Sequence, residues 1–144
     1  SQVMPVYDRF EPTLTIEKPA AYVLPNDTTI TALLELHGLS VKPFLPEASA
    51  GRASTFMVDS VVTSSRPFQG HKETRLTGSW SAPSASNLPS GDPHGYVIVS
   101  ATGRFGPLAA YLLEPQSDDG LVDWNFFDSD IKSGKPFPVT RLYK

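Results

Sequence analysis

The sequence predicts an α+β fold: a β-rich single domain built on a mainly antiparallel sheet, with two or three short helices. The chain has 144 residues, the size of one domain, and no repeat or composition change marks a boundary within 1–144. It contains 14 prolines, about twice the average frequency, with 16 serines and 11 threonines. Such a composition favours many short elements and much loop, which is typical of β-rich domains.

Seven segments carry the alternating or short apolar pattern of strands, most of them bounded by proline, glycine or serine. Two of them flank a turn sequence at 67–70 and are predicted to be neighbouring antiparallel strands. The Ser- and Pro-rich stretch 81–94 is predicted to be a long surface loop. The predicted strands span 13–18, 21–24, 41–45, 55–63, 73–80, 95–100 and 137–143.

Two helices are predicted. Asn26 or Asp27 can act as the N-cap of the first, apolar residues then recur at helical spacing, and Gly38 can end it. With the strands on either side, this helix makes a strand–helix–strand unit over 20–45. A second helix begins at Gly106 with proline at its first position.

The apolar faces of these helices predict part of the core. In the first helix, Ile30, Leu33 and Leu34 are expected to be buried against strands that include Val23 and Val97. The expected apolar stripe of the second helix is Leu108, Tyr111 and Leu112.

Composition excludes several classes of protein. Twelve Lys and Arg against 15 Asp and Glu give a net charge of −3, which argues against a nucleic-acid or anionic-membrane surface. No apolar run reaches the length of a membrane-spanning helix. The absence of cysteine excludes thiol catalysis, disulfides and Cys-type zinc sites, and suits either a cytoplasmic or an exported protein. The start at Ser1, without an initiator Met or signal segment, is expected of a processed product, a designed chain or a fragment of a longer protein.

The sequence contains none of the common catalytic motifs. The histidines, His37, His71 and His94, lack the spacing of HExxH or His-x-x-Glu zinc sites, and His37 is expected to cap a helix end. Neither a Gly-x-Ser-x-Gly elbow nor a phosphate-binding glycine loop is present. The aspartates of 118–130 do not follow the spacing of an EF-hand loop. We therefore assign this chain no catalytic residue, no cofactor and no metal ligand.

Five residues are candidates for a binding surface. His71 and Glu73 are two apart, which on a strand places both on one face. Trp80 and Trp124 could stack on a sugar, and Asp119 belongs to an acidic stretch that could hold a cation or substrate. The competing interpretation is structural, with tryptophans in the core and the carboxylate as a cap.

The segment Glu114–Asp128 is expected to be architectural. Side-chain oxygens of Ser117 and Asp118 can satisfy free backbone N–H groups, and Gly120 can adopt a positive φ. The aromatic residues of 124–127 follow neither a helical nor a β period, so the segment is predicted to fold over the core like a lid. The alternative is that its aspartates form a cation or substrate site.

The same segment also carries a resemblance. Its pattern, Leu-Leu-Glu-Pro-x-Ser-x-Asp-Gly followed by Trp-x-Phe-Phe, resembles the C-terminal region of bacterial zinc carboxypeptidase-like (carboxypeptidase A-type) proteins. Residues 19–25, the Leu-His-Gly at 36–38 and the stretch 66–71 resemble further parts of that region. The likeness covers about residues 12–142.

In that family the zinc ligands, a His-x-x-Glu pair and a distant His, lie in a separate upstream catalytic domain together with the catalytic Glu. The resemblance therefore implies that this chain is a non-catalytic C-terminal accessory domain packed beside a peptidase domain. Zinc would belong to the parent protein, and the family implies a periplasmic or extracellular location.

Three functions remain open on the sequence. An accessory domain predicts an exposed apolar patch where its partner domain sits. A carbohydrate- or peptide-binding module predicts a tryptophan at the surface beside a concave pocket. An independent enzyme predicts a cluster of His, Glu and Asp within ligand distance of one another.

Overall fold

The fold is a six-stranded antiparallel sheet with two α-helices, seen in a computed structural model that describes residues 11–46, 51–92 and 94–144. This confirms the predicted β-rich α+β class. A short 3-10 helix spans Ala85–Asn87 within the predicted loop 81–94. The strands are β1 (Ala21–Pro25), β2 (Val41–Pro43), β3 (Arg52–Thr63), β4 (Thr74–Trp80), β5 (Tyr96–Ser100) and β6 (Pro136–Tyr143), and the helices are α1 (Thr28–Leu36) and α2 (Gly106–Leu113).

The sheet order is β2-β5-β1-β6-β3-β4. The predicted strand–helix–strand unit exists along the chain, but β5 lies between its two strands and pairs with both. Strands β3 and β4 form the predicted antiparallel neighbours and place β4 at one edge of the sheet. The largest boundary differences from the prediction are in β2, which ends at Pro43, and in β3, which begins at Arg52; the other strands differ by at most one residue at either end.

The predicted strand 13–18 is wrong. Those residues form no strand and pair with none of the described strands. Thr13, Leu14 and Ile16 instead line a surface cavity beside α2. An alternating pattern becomes a strand only where a neighbouring strand supplies hydrogen-bond partners.

The sheet buries both of its faces around β1. Tyr22 and Leu24 point to the main core under the helices, whereas Ala21 and Val23 point to a smaller cluster on the other face. Burial on both faces explains why β1 is a continuous apolar run rather than an alternating one. The main core contains, among others, Tyr22, Leu24, Phe56, Val58, Val97, Val99, Phe137 and Val139 from the strands and Ile30, Leu34, Ala109, Leu112 and Leu113 from the helices.

Helix α1 begins and ends as the sequence predicts. The backbone N–H groups of Thr29 and Ile30 donate to the side chain of Asp27 at 2.9 and 3.0 Å. At the other end His37 is the C-cap residue, and Gly38 follows with φ +86°. Both signals are local, so the sequence alone locates them.

The burial expected for the helices needs three corrections. Leu33 is only half-buried, and Val23 lies on the face of the sheet away from α1. In α2 the residues facing the core are Ala109, Leu112 and Leu113, whereas Tyr111 is 46% exposed. The predicted apolar face of α2 is rotated about the helix axis relative to the observed buried face. Nearly every residue of α2 is apolar, so the sequence pattern does not define which face is buried.

Candidate functional site

A buried ion pair joins the end of α2 to strand β6. The Arg141 guanidinium donates from Nε and Nη2 to the two Glu114 carboxylate oxygens, at 2.8 and 2.6 Å. The Tyr22 hydroxyl donates to the same carboxylate at 2.6 Å. On its other side the guanidinium lies 3.8 Å from the centre of the Trp80 ring, which also makes an edge-to-face contact with Phe56. Trp80 is therefore a packing residue of this network.

The surroundings fix the charge states in this network. Burial, followed by the hydrogen bond to Glu114, raises the pKa of Tyr22 well above its ordinary value. Burial opposes the charge of Arg141, but the hydrogen bonds and charge of Glu114 outweigh it, so the pKa of Arg141 lies above its ordinary value. The Tyr22 phenol stays neutral and the Arg141 guanidinium stays charged, which suits a structural role.

The segment Glu114–Asp128 covers the core as predicted, and the covering stretch continues to Ile131, so that we refer to it as the segment 114–131. Its turns bury Leu121, Val122, Phe127 and Ile131 in the main core. The rings of Phe127 and Phe137 pack edge to face with centres 5.1 Å apart. The segment therefore supplies one wall of the domain without forming a helix or strand.

The predicted local geometry of this segment is wrong at one position. Gly120 does not have a positive φ, whereas its neighbour Asp119 has φ +61°. Glycine is required at 120 for another reason, since a Cβ there would lie 2.8 Å from the backbone oxygen of Tyr111. Close packing of the segment on α2 therefore explains the glycine at 120. The residue with the left-handed conformation in this turn is Asp119, one position earlier.

The hydrogen bonds of the acidic stretch also differ from the expected caps. The Ser117 hydroxyl donates to the carbonyl of Asp118 at 3.3 Å rather than accepting from a backbone N–H. Both oxygens of Asp119 accept from side chains instead: Oδ1 from the indole N–H of Trp124, and Oδ2 from the hydroxyl of Tyr111 at 3.4 Å. Asp119 therefore ties the exposed face of α2 to the aromatic residue at 124.

The tip of the β3–β4 hairpin is a tight turn. Phe68 and His71 exchange backbone hydrogen bonds of 2.8 and 3.0 Å across Gln69 and Gly70. Both central residues have a positive φ, 49° and 86°, as a type I′ turn requires. This turn confirms the one predicted at 67–70 and fixes the position of His71.

His71 stacks on Trp124. The two ring centres are 3.9 Å apart and the planes meet at 20°. The side-chain amide of Asn125 anchors the neighbouring chain, since it donates to the carbonyl of Lys72 at 2.7 Å and to the hydroxyl of Thr74 at 3.1 Å. The segment 114–131 is therefore joined to the hairpin at the stack.

A cavity of about 370 Å³ opens beside His71. Both ring nitrogens of His71 and one oxygen of Asp123 are buried and have no hydrogen-bond partner among the described residues. Buried polar groups are almost always hydrogen-bonded in folded proteins. The lining residues are Phe68, Gln69, His71, Glu73, Arg75, Asp118, Asp119 and Asp123, which bring four carboxylates and one guanidinium to the cavity.

This cavity is one end of a longer groove. A second cavity of about 270 Å³ shares Arg75, Asp118 and Asp123 with it. A third, of about 490 Å³, shares Asp118 with both and extends to Tyr111 and Pro107 on α2. We call these three cavities the groove. Its middle section lies between residues 74–76 at the edge of the sheet and the acidic stretch.

The groove contains most of the residues predicted to bind. His71, Glu73 and Asp119 line the cavity beside His71, and Trp124 stacks on the His71 ring. Trp80 instead lies against Arg141 in the Glu114 network. His71 and Glu73 share the cavity without a hydrogen bond between them among the described contacts.

Arg75, Phe68 and Tyr111 also line the groove, although none of them was among the five binding candidates. Arg75 continues the two-residue spacing of His71 and Glu73, which was the available signal. Phe68 enters only through the turn, and Tyr111 only because its face of α2 is open.

Within residues 11–46, 51–92 and 94–144, no group of three or more His, Asp or Glu residues is arranged to hold a metal ion. In the same part of the chain no helix is both long enough and apolar enough to cross a membrane. No family model, curated protein or solved structure matches this chain.

Proposed function

We propose that this chain is a binding module that holds an extended peptide segment in the groove. The observation that carries the proposal is the His71–Trp124 stack, which borders a cavity where the His71 nitrogens and an Asp123 oxygen have no partner among the described residues. A ligand that supplies donors and acceptors there removes the cost of leaving them unpaired. Trp124 is 37% exposed, so it can also cover an apolar part of the ligand.

The length of the groove favours a peptide over a sugar. Three cavities that share Asp118 extend from the hairpin tip to α2, which suits an extended chain. One face of the Trp124 ring is covered by His71, and its N–H is taken by Asp119. The polar groups that remain available lie inside the groove rather than around an open aromatic platform.

The test is binding of a peptide panel and an oligosaccharide panel, followed by intrinsic tryptophan fluorescence and calorimetry. We expect peptides to bind and Trp124→Ala to lose about 2 kcal/mol or more, roughly 30-fold, because a partly buried tryptophan is a common hot spot. Trp124→Phe keeps a ring against His71 and guards against loss of folding, which circular dichroism checks.

Leu36→Ala is the matched control, since Leu36 is 84% exposed on α1 and lines none of the three cavities. The proposal is wrong if no peptide binds. It is also wrong if Trp124→Ala and His71→Ala bind the peptide with the same affinity as Leu36→Ala. Binding of oligosaccharides alone would replace the peptide with a sugar ligand.

A second candidate function is that of an accessory domain beside a metallocarboxypeptidase-like catalytic domain. Apart from the resemblance, it is supported by exposed apolar side chains near the end of α1. Leu36 is 84% and Phe105 44% exposed, and a Cβ at Gly38 would lie 3.6 Å from the Phe105 ring, which places that ring beside the end of α1. Under this proposal zinc belongs to the catalytic domain, the whole protein is exported, and the groove supplies peptide binding next to it.

The reading frame upstream of Ser1 tests this candidate directly. It should encode a His-x-x-Glu pair and a later His, and their absence would overturn the accessory-domain proposal. In the full-length protein, Leu36→Asp should lower the melting temperature more than the same change at Ser90, an exposed residue of the stretch 81–94, because only Leu36 would face the peptidase domain. Equal effects would contradict the proposed interface.

A further inference from the structure

We propose that the ligand adds to the outer edge of β4 as a further strand and places a basic side chain in the His71 cavity. This inference rests on the proposed peptide-binding function and specifies its binding mode and ligand chemistry. The occupant is an extended segment of another protein that carries lysine or arginine. The proposal follows from the hydrogen-bond register of β4 and from the charges around the groove.

The register turns the main-chain groups of alternate β4 residues away from β3 and toward the groove. Ser64 donates to the carbonyl of Glu73, and the pairing continues in the same register through Val62 and Arg75. In an antiparallel pair, hydrogen-bonded and non-hydrogen-bonded positions alternate. Thr74 and Leu76 therefore direct their N–H and C=O groups away from β3, and β4 has no further strand beside it among the described residues.

One contact shows that this edge accepts donors from the groove. The side-chain amide of Gln116 donates to the carbonyl of Leu76 at 3.3 Å, where the N–H of an added strand would lie. A glutamine amide has the same donor chemistry as a peptide N–H. Peptides commonly bind to exposed sheet edges in this way, with affinity from main-chain bonds and specificity from side-chain pockets.

The charges define the side chain that the His71 cavity selects. Glu73, Asp118, Asp119 and Asp123 line it, and Arg75 is the one guanidinium among its lining residues. Asp123 lines this cavity and one of its carboxylate oxygens has no partner among the described residues, so an ammonium or guanidinium group that reaches the carboxylate would give it a donor. Hydrogen bonds to charged groups are stronger than neutral ones, so the cavity favours a cationic side chain over a neutral one.

The test starts from peptides that bind the full chain and compares each of them with synthetic analogues. Changes made in the peptide leave the folding of the protein intact. Replacing the basic residue with glutamine should weaken binding at least about tenfold. N-methylation of alternate backbone nitrogens should weaken it comparably when the methylated N–H faces β4, and little when it faces solvent. Raising the salt concentration from about 50 to about 500 mM should weaken the binding of the basic peptide and leave the binding of its glutamine analogue nearly unchanged.

Matched protein variants locate the charge. Glu73→Gln should reduce affinity for the basic peptide, and Asp59→Asn, the same change of charge at a β3 position outside the cavity, should not. Equal binding of the basic and glutamine peptides, or equal effects of N-methylation on both sides, would overturn this inference while leaving peptide binding intact. Loss of all peptide binding would instead refute the proposed function. Concentration-dependent dimerisation in sedimentation would identify a second copy of the chain as the occupant of the groove. That result would overturn the proposal that the occupant is a basic segment of another protein.

Discussion

Removal of the Glu114 carboxylate should destabilise the protein more than any change at an exposed carboxylate. In Glu114→Ala, Arg141 loses two hydrogen bonds, of 2.6 and 2.8 Å, and its only ion pair among the described residues. Tyr22 also loses the acceptor of its hydroxyl. Both charged side chains are buried in the folded chain, with exposures of 7% and 6%, so removal of the carboxylate leaves the guanidinium buried without its charged partner.

The magnitude follows from the cost of an unpaired buried charge. Breaking a buried pair by removing one partner costs about 3–5 kcal/mol. The total stability of a domain is typically about 5–15 kcal/mol, so this is a large fraction of it. For a chain of this size each kcal/mol shifts the melting temperature by about 2–4 °C, which predicts a decrease of roughly 6–20 °C.

The assay is urea unfolding followed by circular dichroism and by tryptophan fluorescence, because Trp80 lies against the Arg141 guanidinium. Glu35→Ala on the exposed side of α1 is the control and should change stability by less than about 0.5 kcal/mol. In a double-mutant cycle, Glu114→Ala with Arg141→Ala should cost at least about 1 kcal/mol less than the sum of the single changes. A loss below about 1 kcal/mol for Glu114→Ala, or strict additivity, would refute the reasoning.

Three further predictions concern the core, a cap and a titrating group. Leu34→Ala should cost about 2–5 kcal/mol in urea unfolding because Leu34 is fully buried, whereas Leu36→Ala should change stability little; similar values would contradict the assigned inner face of α1. Asp27→Ala should cost about 1 kcal/mol because two backbone N–H groups lose their acceptor, and Asp27→Asn should retain most of that stability; equal losses would argue against the cap. Tyr22→Phe should be less stable than the parent at about pH 8, and the difference should shrink by up to about 1.4 kcal/mol per pH unit above about pH 10. The sign follows because the pKa of Tyr22 is raised on folding, so its contribution is complete below the unfolded pKa and is lost as pH rises; a constant difference up to about pH 11 would contradict it.

The features that could be predicted correctly are those set by interactions between residues close together in the chain. Proline and glycine boundaries, short apolar runs and the composition predicted the β-rich α+β class and most of the strands. The ends of α1 followed from Asp27 and Gly38, and the hairpin turn followed from its own four residues. Each of these signals acts within a few residues, so one sequence is enough to find it.

Contacts between residues far apart in the chain could not be predicted, because they depend on how the whole chain packs. Glu114 and Arg141 are 27 residues apart, and the amide of Asn125 reaches a carbonyl 53 residues away to bring the 114–131 segment against the hairpin beside the His71–Trp124 stack. The wrong prediction of a strand at 13–18 has the same cause. A strand needs a neighbouring strand to pair with, and the local sequence pattern does not show whether one is present. Strand order and the closure of one segment over a sheet are set by burial summed over the whole core, so the groove exists only once the chain has folded.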